Sequence, residues 1–210
     1  MPRTGRASAS ADHNIDEFER RFNVNVAQVS ATAALAALNA LYNDGTLTFY
    51  QGAIPATPET AIGTQSGLAQ FALANPAFSA PTFANAEELA TASFANSSVT
   101  PTANGTACFA RAVSNGATLA DYTVAANWQP STAVIVGQYV INGANTYVCV
   151  GGGTTAASGG PTGSGVTIQD GNAVWSFRNS GSADIVMATT SVLTAIPLSM
   201  TGLTHAMPAV

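Results

Sequence analysis

The sequence predicts a mainly β protein: an antiparallel β-sandwich with one N-terminal α-helix, a small inserted β module and an extended N-terminal arm. Three observations carry that prediction. Short apolar-polar alternations are bounded by Asn-Gly, Asp-Gly and proline signals. A single alanine-rich stretch keeps three- and four-residue apolar spacing. Both tryptophans fall in one central segment with its own turn vocabulary.

The arm comes first. Arg3, Arg6, Asp12, Asp16, Glu17, Glu19, Arg20 and Arg21 gather nearly half of the chain's charges before residue 26, so this segment cannot build a core alone. "IDEFERRF" sets Ile15, Phe18 and Phe22 on one side of a helical turn, at i, i+3 and i+7. Two readings stand: a solvated tail, or an assembly arm that buries these three anchors. Fully extended, about 25 residues reach up to roughly 80 Å, far enough to lie across a neighbouring subunit.

From Val26 to Asn43 the spacing predicts the helix, with Val29, Leu35, Leu38, Leu41 and Tyr42 recurring among alanines and "NDG" at Asn43 to Gly45 as its stop. "TLTFYQG" alternates Leu47 and Phe49 against Thr48 and Tyr50, a half-buried strand. "IPATPET" is a proline-bearing loop. "GLAQFALANPAF" and "ELATASF" read as further strands, weaker because alanine is a poor strand former. Cys108 to Val113 and Thr118 to Val124 flank Asn115-Gly116, which tolerates the positive φ of a tight primed turn, so a hairpin is expected. "ADIVMATTSVLTAIPLSMTGLTHAMP" offers two more strands, with Ile185, Met187, Leu198, Met200 and Leu203 as core candidates.

Between these halves lie Trp128, "STAVIVGQYV", Asn142-Gly143, "NTYVCV", a glycine- and threonine-rich loop and "TIQDGNAVWSF". The expected organisation is an arm at 1–25, a discontinuous sandwich domain at 26–124 and 181–210, and an inserted module at 125–180. Insertion at a loop tip is tolerated because loop-closure entropy grows slowly with length.

Composition narrows the function. With 210 residues and 47% hydrophobic content the chain can bury a sizeable core. Charged residues are only 8%, against about 25% in an average soluble domain, which suits subunits that pack side by side. There is no lysine and the net charge is -5, which argues against a basic nucleic-acid-binding face. The Ala31 to Leu41 run is too short to cross a bilayer, and "MPRTGRASASADHN" has no apolar signal region behind it, so a soluble chain made without Sec export is expected. Cys108 and Cys149 read as two buried small hydrophobes without metal-ligand spacing; a pairing between them stays open.

Catalytic chemistry is thinly supplied. His13 and His205 have no local motif. Glu87 and Glu88 are adjacent, so on a strand they face opposite ways and cannot act as a carboxylate pair. Asp170 belongs with its turn glycine, Gly171. "GGGTTAASGGPTGSG" has neither the lysine nor the following helix of a phosphate loop. No cofactor or metal is expected, and no enzymatic activity. Trp128, Tyr139, Tyr147 and Trp175 remain, as core of a small module or as a surface that stacks on sugar rings, with Trp128 at the module's edge the better ligand candidate.

The order Trp128, Ser-Thr-Ala, Val-Gly-Gln-Tyr-Val, Asn-Gly, Thr-Tyr-Val-Cys, Asp-Gly and Val-Trp-Ser-Phe resembles the small β-modules of the chitin-binding carbohydrate-module type, over about Asn127 to Phe177. That resemblance implies a three-stranded sheet with aromatics near one surface. The flanks "ALNALYNDGTLTFYQGAIPATPETA", "LAQFALANPAF", "GTACFARAVSNGAT" and "SADIVMATTSVLTAIPLSMTGLTHAMP" are similar to small structural proteins of tailed phages, of capsid-decoration or minor-virion type. The arm and the inserted module depart from that pattern. The resemblance implies a virion subunit, assembled in the host cytoplasm and exposed on the particle surface. Its partners would be other virion proteins, foremost the major capsid protein, and further copies of itself, a trimer by analogy. A tail, collar or fibre-adaptor position and a host-glycan adhesin are the alternatives.

Overall fold

A computed structural model describes residues 26–200 and 202–208. The arm residues Ile15, Phe18 and Phe22 lie outside the described residues.

Helix α1 (Gln28–Ala40) is shorter at both ends than the spacing predicts. Ala27 offers no side-chain cap. At the other end Asp44 takes the left-handed φ of 58° and the Gly45 N–H donates to the Tyr42 carbonyl at 3.0 Å, closing the stop at "NDG". Its buried stripe is Ala31, Leu35 and Asn39, continued by Tyr42. Three of the apolar positions expected to face inward do not: Val29 is 76% exposed, Leu41 55% and Leu38 40%. The helix touches the sheet along one line only, and i, i+4 spacing from Ala31 defines that line.

The first half of the chain then supplies β1 (Thr46–Gln51), β2 (Ser66–Phe78), β3 (Thr82–Ala84), β4 (Glu87–Phe94), β5 (Ser98–Val99), β6 (Gly105–Thr106), β7 (Phe109–Ser114) and β8 (Ala117–Asn127). The central segment supplies β9 (Ala133–Val134), β10 (Tyr139–Asn142), β11 (Asn145–Gly151), β12 (Gly153–Thr154), β13 (Ile168–Asp170) and β14 (Ala173–Ser180). The end of the chain supplies β15 (Ile185–Val186), β16 (Ser191–Val192), β17 (Leu198–Ser199) and β18 (Thr204–Pro208). The described residues are thus mostly β with one helix, consistent with a β-sandwich.

The main ladder runs β13-β14-β11-β10-β8-β7-β1-β2-β4-β18, with β15 beside β8 and β3 beside β4. Its pairings are antiparallel except two, β10 and β15, which both run parallel to β8. β8 is the shared rail. Its first part pairs with β7 through the expected hairpin, whose turn puts Asn115 at φ 50° and Gly116 at φ 79°. Nothing lies within 4 Å of where a Cβ on Gly116 would sit, so the glycine serves the backbone conformation rather than space.

The stretch after residue 184 departs from expectation. Instead of two strands it forms four short ones, because it crosses several partners in turn: β16 pairs with β6, β17 with β5 and β18 with β4. Ile185, Met200 and Leu203 are nevertheless buried, and Met187 and Leu198 pack partly buried on the same core.

Buried apolar side chains fall into three clusters. The largest unites Leu35, Leu47, Phe49, Phe71, Tyr122 and Val124 with Ile185, Val192, Met200 and Leu203, so the two flanks share one interior. A second, wholly within the central segment, holds Val134, Val140, Tyr147, Cys149, Ala173 and Trp175. A small third one, Ala125, Tyr139 and Ala183 with Ile54, Ile141 and Val148 against it, lies where the two meet.

The chain leaves and re-enters the flanking framework side by side. Ile185 pairs with Val124 and Val186 with Ala125. The Asp184 carboxylate accepts hydrogen bonds from the Thr123 N–H and hydroxyl, each at 2.7 Å. Gly137, at φ 89°, lets the module's first turn rest on the framework: a Cβ there would stand 2.7 Å from the Ala53 Cα and N.

Candidate functional site

Of the four aromatics that the sequence leaves as module core or as a sugar-stacking surface, three are spent on packing. Trp175 is 0%, Tyr147 1% and Tyr139 2% exposed. A ring enclosed on both faces has no surface left for a ligand, so Tyr139, Tyr147 and Trp175 take the core side of the two readings and not the sugar-stacking one. Trp175 and Tyr147 centre the module core, and Tyr139 belongs to the junction cluster with Ala125 and Ala183. A module this small fills its interior with its largest side chains first.

The organising group is Asp170, the end of β13. Its Oδ2 accepts the indole N–H of Trp128 at 2.8 Å and that of Trp175 at 3.0 Å, and its Oδ1 accepts the Ala156 N–H at 2.9 Å. One buried carboxylate therefore ties together the entry of the module, its last long strand and its glycine-rich loop. Hydrogen bonds to an ionised acceptor are roughly twice as strong as neutral ones. The sequence signal, Asp-Gly, accounts for the turn but not for this clamp, which needs two tryptophans far apart along the chain.

Trp128 is half-buried and remains the one aromatic of the four with exposed surface. Gly160 presses on its ring: a Cβ at that glycine would lie 2.9 Å from the Trp128 Cδ2. Asn142 holds this loop in place by donating from Nδ2 to the carbonyls of Gly159 at 2.9 Å and Pro161 at 3.0 Å. Beside Trp128 a recess of about 90 Å³ is lined by Thr132, Gln138, Thr155, Thr189 and Thr190 among others. Its uncharged wall mixes these hydroxyl and amide groups with Val134, Val140 and Ala188, and its volume falls well below the roughly 300 Å³ at which ligand clefts begin.

Two polar arrangements in the framework escape sequence reasoning. Arg111 on β7 and Asp121 on β8 form a two-point ion pair at 2.6 and 2.7 Å, and the same guanidinium donates to the Thr60 carbonyl at 2.8 Å, pinning the "IPATPET" loop. Both side chains are almost fully buried. His205 on β18 lies in a chain of side chains, with Nδ1 2.7 Å from the Asn39 Oδ1 and Nε2 2.8 Å from the Tyr122 hydroxyl, itself 3.2 Å from the Tyr42 hydroxyl. Its ring stacks on Phe78 at 4.1 Å. Burial holds the imidazole below its ordinary pKa and pushes the Tyr122 phenol up, so both are neutral near pH 7. This cluster sits between α1, β8 and β18 and fastens the helix to the edge strand.

Cys108 and Cys149 are free and buried, and the pairing left open by the sequence does not form. Burial pushes the Cys108 thiol up to about 11, which keeps it protonated and unreactive at neutral pH. Glu87 and Glu88 do point to opposite sides, and Glu88 is buried while Glu87 is half-buried. Among the described residues no three His, Cys, Asp or Glu side chains gather as a metal site. No helix of the described residues is long and apolar enough to cross a membrane.

No protein-family model, no curated protein and no solved structure matches this chain. The resemblances drawn from motif order rest on those motifs alone.

Proposed function

We propose that the chain is a structural subunit of a tailed-phage virion, of the capsid-decoration or cement type, that carries a small β module on the particle surface. The observation that carries this reading is the outer face of α1. Residues 27–30, 33, 34, 36–38, 40 and 41 are all exposed, yet this face has no charged residue and shows Val29, Leu38 and Leu41 to solvent. A helix that is apolar nearly all round belongs in an interior, here one that only assembly provides. Identical copies meeting across a symmetry axis place like charges opposite each other, so an uncharged face removes that penalty.

Two further features support it. The module has its own buried cluster at one end of the ladder, and the chain enters and leaves it side by side at β8. The polar chain around His205 joins α1 to β18 through Asn39 and to β8 through Tyr122, a fastening role that accords with a structural, non-enzymatic reading.

Antibodies against the module, applied to purified particles from cells carrying the gene, test the reading directly. Regular labelling of the head surface is the expected image. Label confined to the tail would move the subunit to a collar or fibre-adaptor position, and absence of the chain from particles would refute a virion role. Leu38→Asp with Leu41→Asp, which touches exposed positions only, is expected to abolish incorporation while the far-ultraviolet spectrum stays unchanged.

A second reading, host-glycan binding, rests on Trp128 and its recess. A glycan array probed with the multimerised full chain and with Trp128→Phe tests it, since many weak sites on one particle gain avidity. Loss of signal in the variant supports it; equal signal, or none from either, removes it.

A further inference from the structure

Among the described residues two buried side-chain atoms have no hydrogen-bond partner, the Asn39 Nδ2 and the Glu88 Oε1. Asn39, only 5% exposed, also lines a recess of about 310 Å³ between α1 and the turn from β2 to β3. That volume reaches the size at which ligand clefts begin, about 300 Å³. The Asn39 Oδ1 lies 2.7 Å from the His205 Nδ1. His205, with Leu35, Leu38 and Tyr42, lines a different recess on the neighbouring flank of α1. Oxygen and nitrogen diverge from the carbon of a planar amide, so an Oδ1 fixed on His205 turns Nδ2 toward the side of Ala36 and Ala40.

A second amide stands beside the first. Asn43 follows Asn39 by four residues and lines the same recess, as helical spacing requires. Its Oδ1 accepts the Ala77 N–H at 2.8 Å, and no described residue accepts from its Nδ2. The remaining side-chain oxygen of the wall, the Ser79 Oγ, accepts the Thr91 N–H at 3.1 Å. Every side-chain oxygen of the wall is thus engaged, while two amide nitrogens have hydrogens to give. A ligand O–H or N–H would be buried there without a partner, which is unfavourable. A carboxylate fares no better: no Arg or His lines the recess, and Asp44, next to Asn43, is acidic. The remaining wall is Pro76, Phe78, Ala80 and Pro81. What fits is an apolar body with an acceptor and no donor. An X-Pro peptide bond has that chemistry, because its nitrogen carries no hydrogen.

We infer that this recess binds an uncharged, proline-containing peptide segment whose X-Pro carbonyl accepts hydrogen bonds from the Asn39 and Asn43 Nδ2 groups. The bound carbonyl gives the buried Asn39 donor the partner that the chain itself does not supply. The proline ring packs on Ala36, Ala40 and Phe78. The inference goes beyond the virion reading and stands without it, because the recess and its donors belong to the single chain.

N-acetylproline dimethylamide, which has amide carbonyls and no N–H, is the probe. It is titrated into the full chain while nuclear magnetic resonance follows the asparagine side-chain NH2 signals. The expected result is a saturable shift of the Asn39 and Asn43 signals, with N-acetylproline, the free acid, binding about tenfold more weakly or worse. Ala40→Leu fills the recess from an exposed helix position where leucine is well tolerated, and it should abolish the shift. Asn43→Asp keeps an acceptor for the Ala77 N–H but removes a donor, and should weaken binding about tenfold. Shifts that rise linearly without saturating, equal binding of the free acid, or a response that survives Ala40→Leu would each overturn the inference. Should Ala40→Leu alter the fold, seen as shifts far from α1, Asn43→Asp decides alone: undiminished affinity there overturns the inference as well.

Discussion

The framework and the module solve the same problem with different means. The framework closes a large interior from two pieces far apart in the chain, Leu35 to Val124 and Ile185 to Leu203, filled with Phe49, Phe71, Tyr122 and aliphatic side chains. The module buries only six apolar residues in its own cluster. It adds a buried carboxylate that receives two indole N–H groups and a backbone N–H. Where apolar area is scarce, a satisfied polar clamp substitutes for it, and the cost is that one residue carries much of the fold.

That asymmetry is open to attack, and the largest expected effect is at the clamp. Asp170→Ala leaves two indole donors and one backbone donor without their acceptor, the Trp175 N–H fully buried and the other two partly so, at about 1–3 kcal/mol each, for a total of about 4 kcal/mol. The module should lose hydrogen-exchange protection over 133–180 while 46–124 keeps its own. Arg111→Ala is the framework's counterpart. Breaking a buried ion pair by removing one partner costs about 3 kcal/mol or more, and here the Thr60 loop loses its anchor too. Thermal melting with exchange mapped by peptide should show the loss in the framework.

Gly137→Ala probes the seam between the two. The added Cβ would meet the Ala53 backbone at 2.7 Å and sit on a φ of 89°, so about 2 kcal/mol of destabilisation is expected, confined to the junction. Increased proteolysis near residues 52–54 and 135–139, with both cores intact, is the readout.

The smallest effect is on pH dependence. His205 is held below its ordinary value by burial, and the groups facing it are Tyr42, Tyr122, Asn39 and Phe78, with Asp184 lining the same recess. Below about pH 6.5 the unfolded chain binds a proton that the folded chain resists. Stability present above that pH is therefore lost as pH falls from there through the folded value. Denaturant midpoints measured from pH 7.5 to 5 should fall less steeply for His205→Gln than for the parent; identical slopes would contradict the assignment.

Much of this was legible in the sequence, and the misses share a cause. Leu47 and Phe49, the strands at Ser66–Phe78 and Glu87–Phe94, and the Asn115-Gly116 hairpin follow from local period and turn chemistry. Arg111 and Asp121 did not emerge because a bulge between Ala112 and Val113 shifts the register by one residue; a regular hairpin would set Arg111 opposite Ala120. Val29, Leu38 and Leu41 satisfy helical spacing, but spacing does not say how wide the contact line is. Tyr139, Tyr147 and Trp175 have the composition of a binding face, and only three-dimensional packing shows that the module needs them inside. Asp170 carried a turn signal strong enough to hide its second role.

The central claim is that the two flanks form one cooperative body and the segment between them another. Hydrogen exchange followed peptide by peptide through a urea titration of the intact chain tests it most directly. The account predicts that peptides from 46–124 and 185–208 lose protection together at one midpoint, and those from 133–180 at a different one. A single midpoint shared by all of them would contradict it.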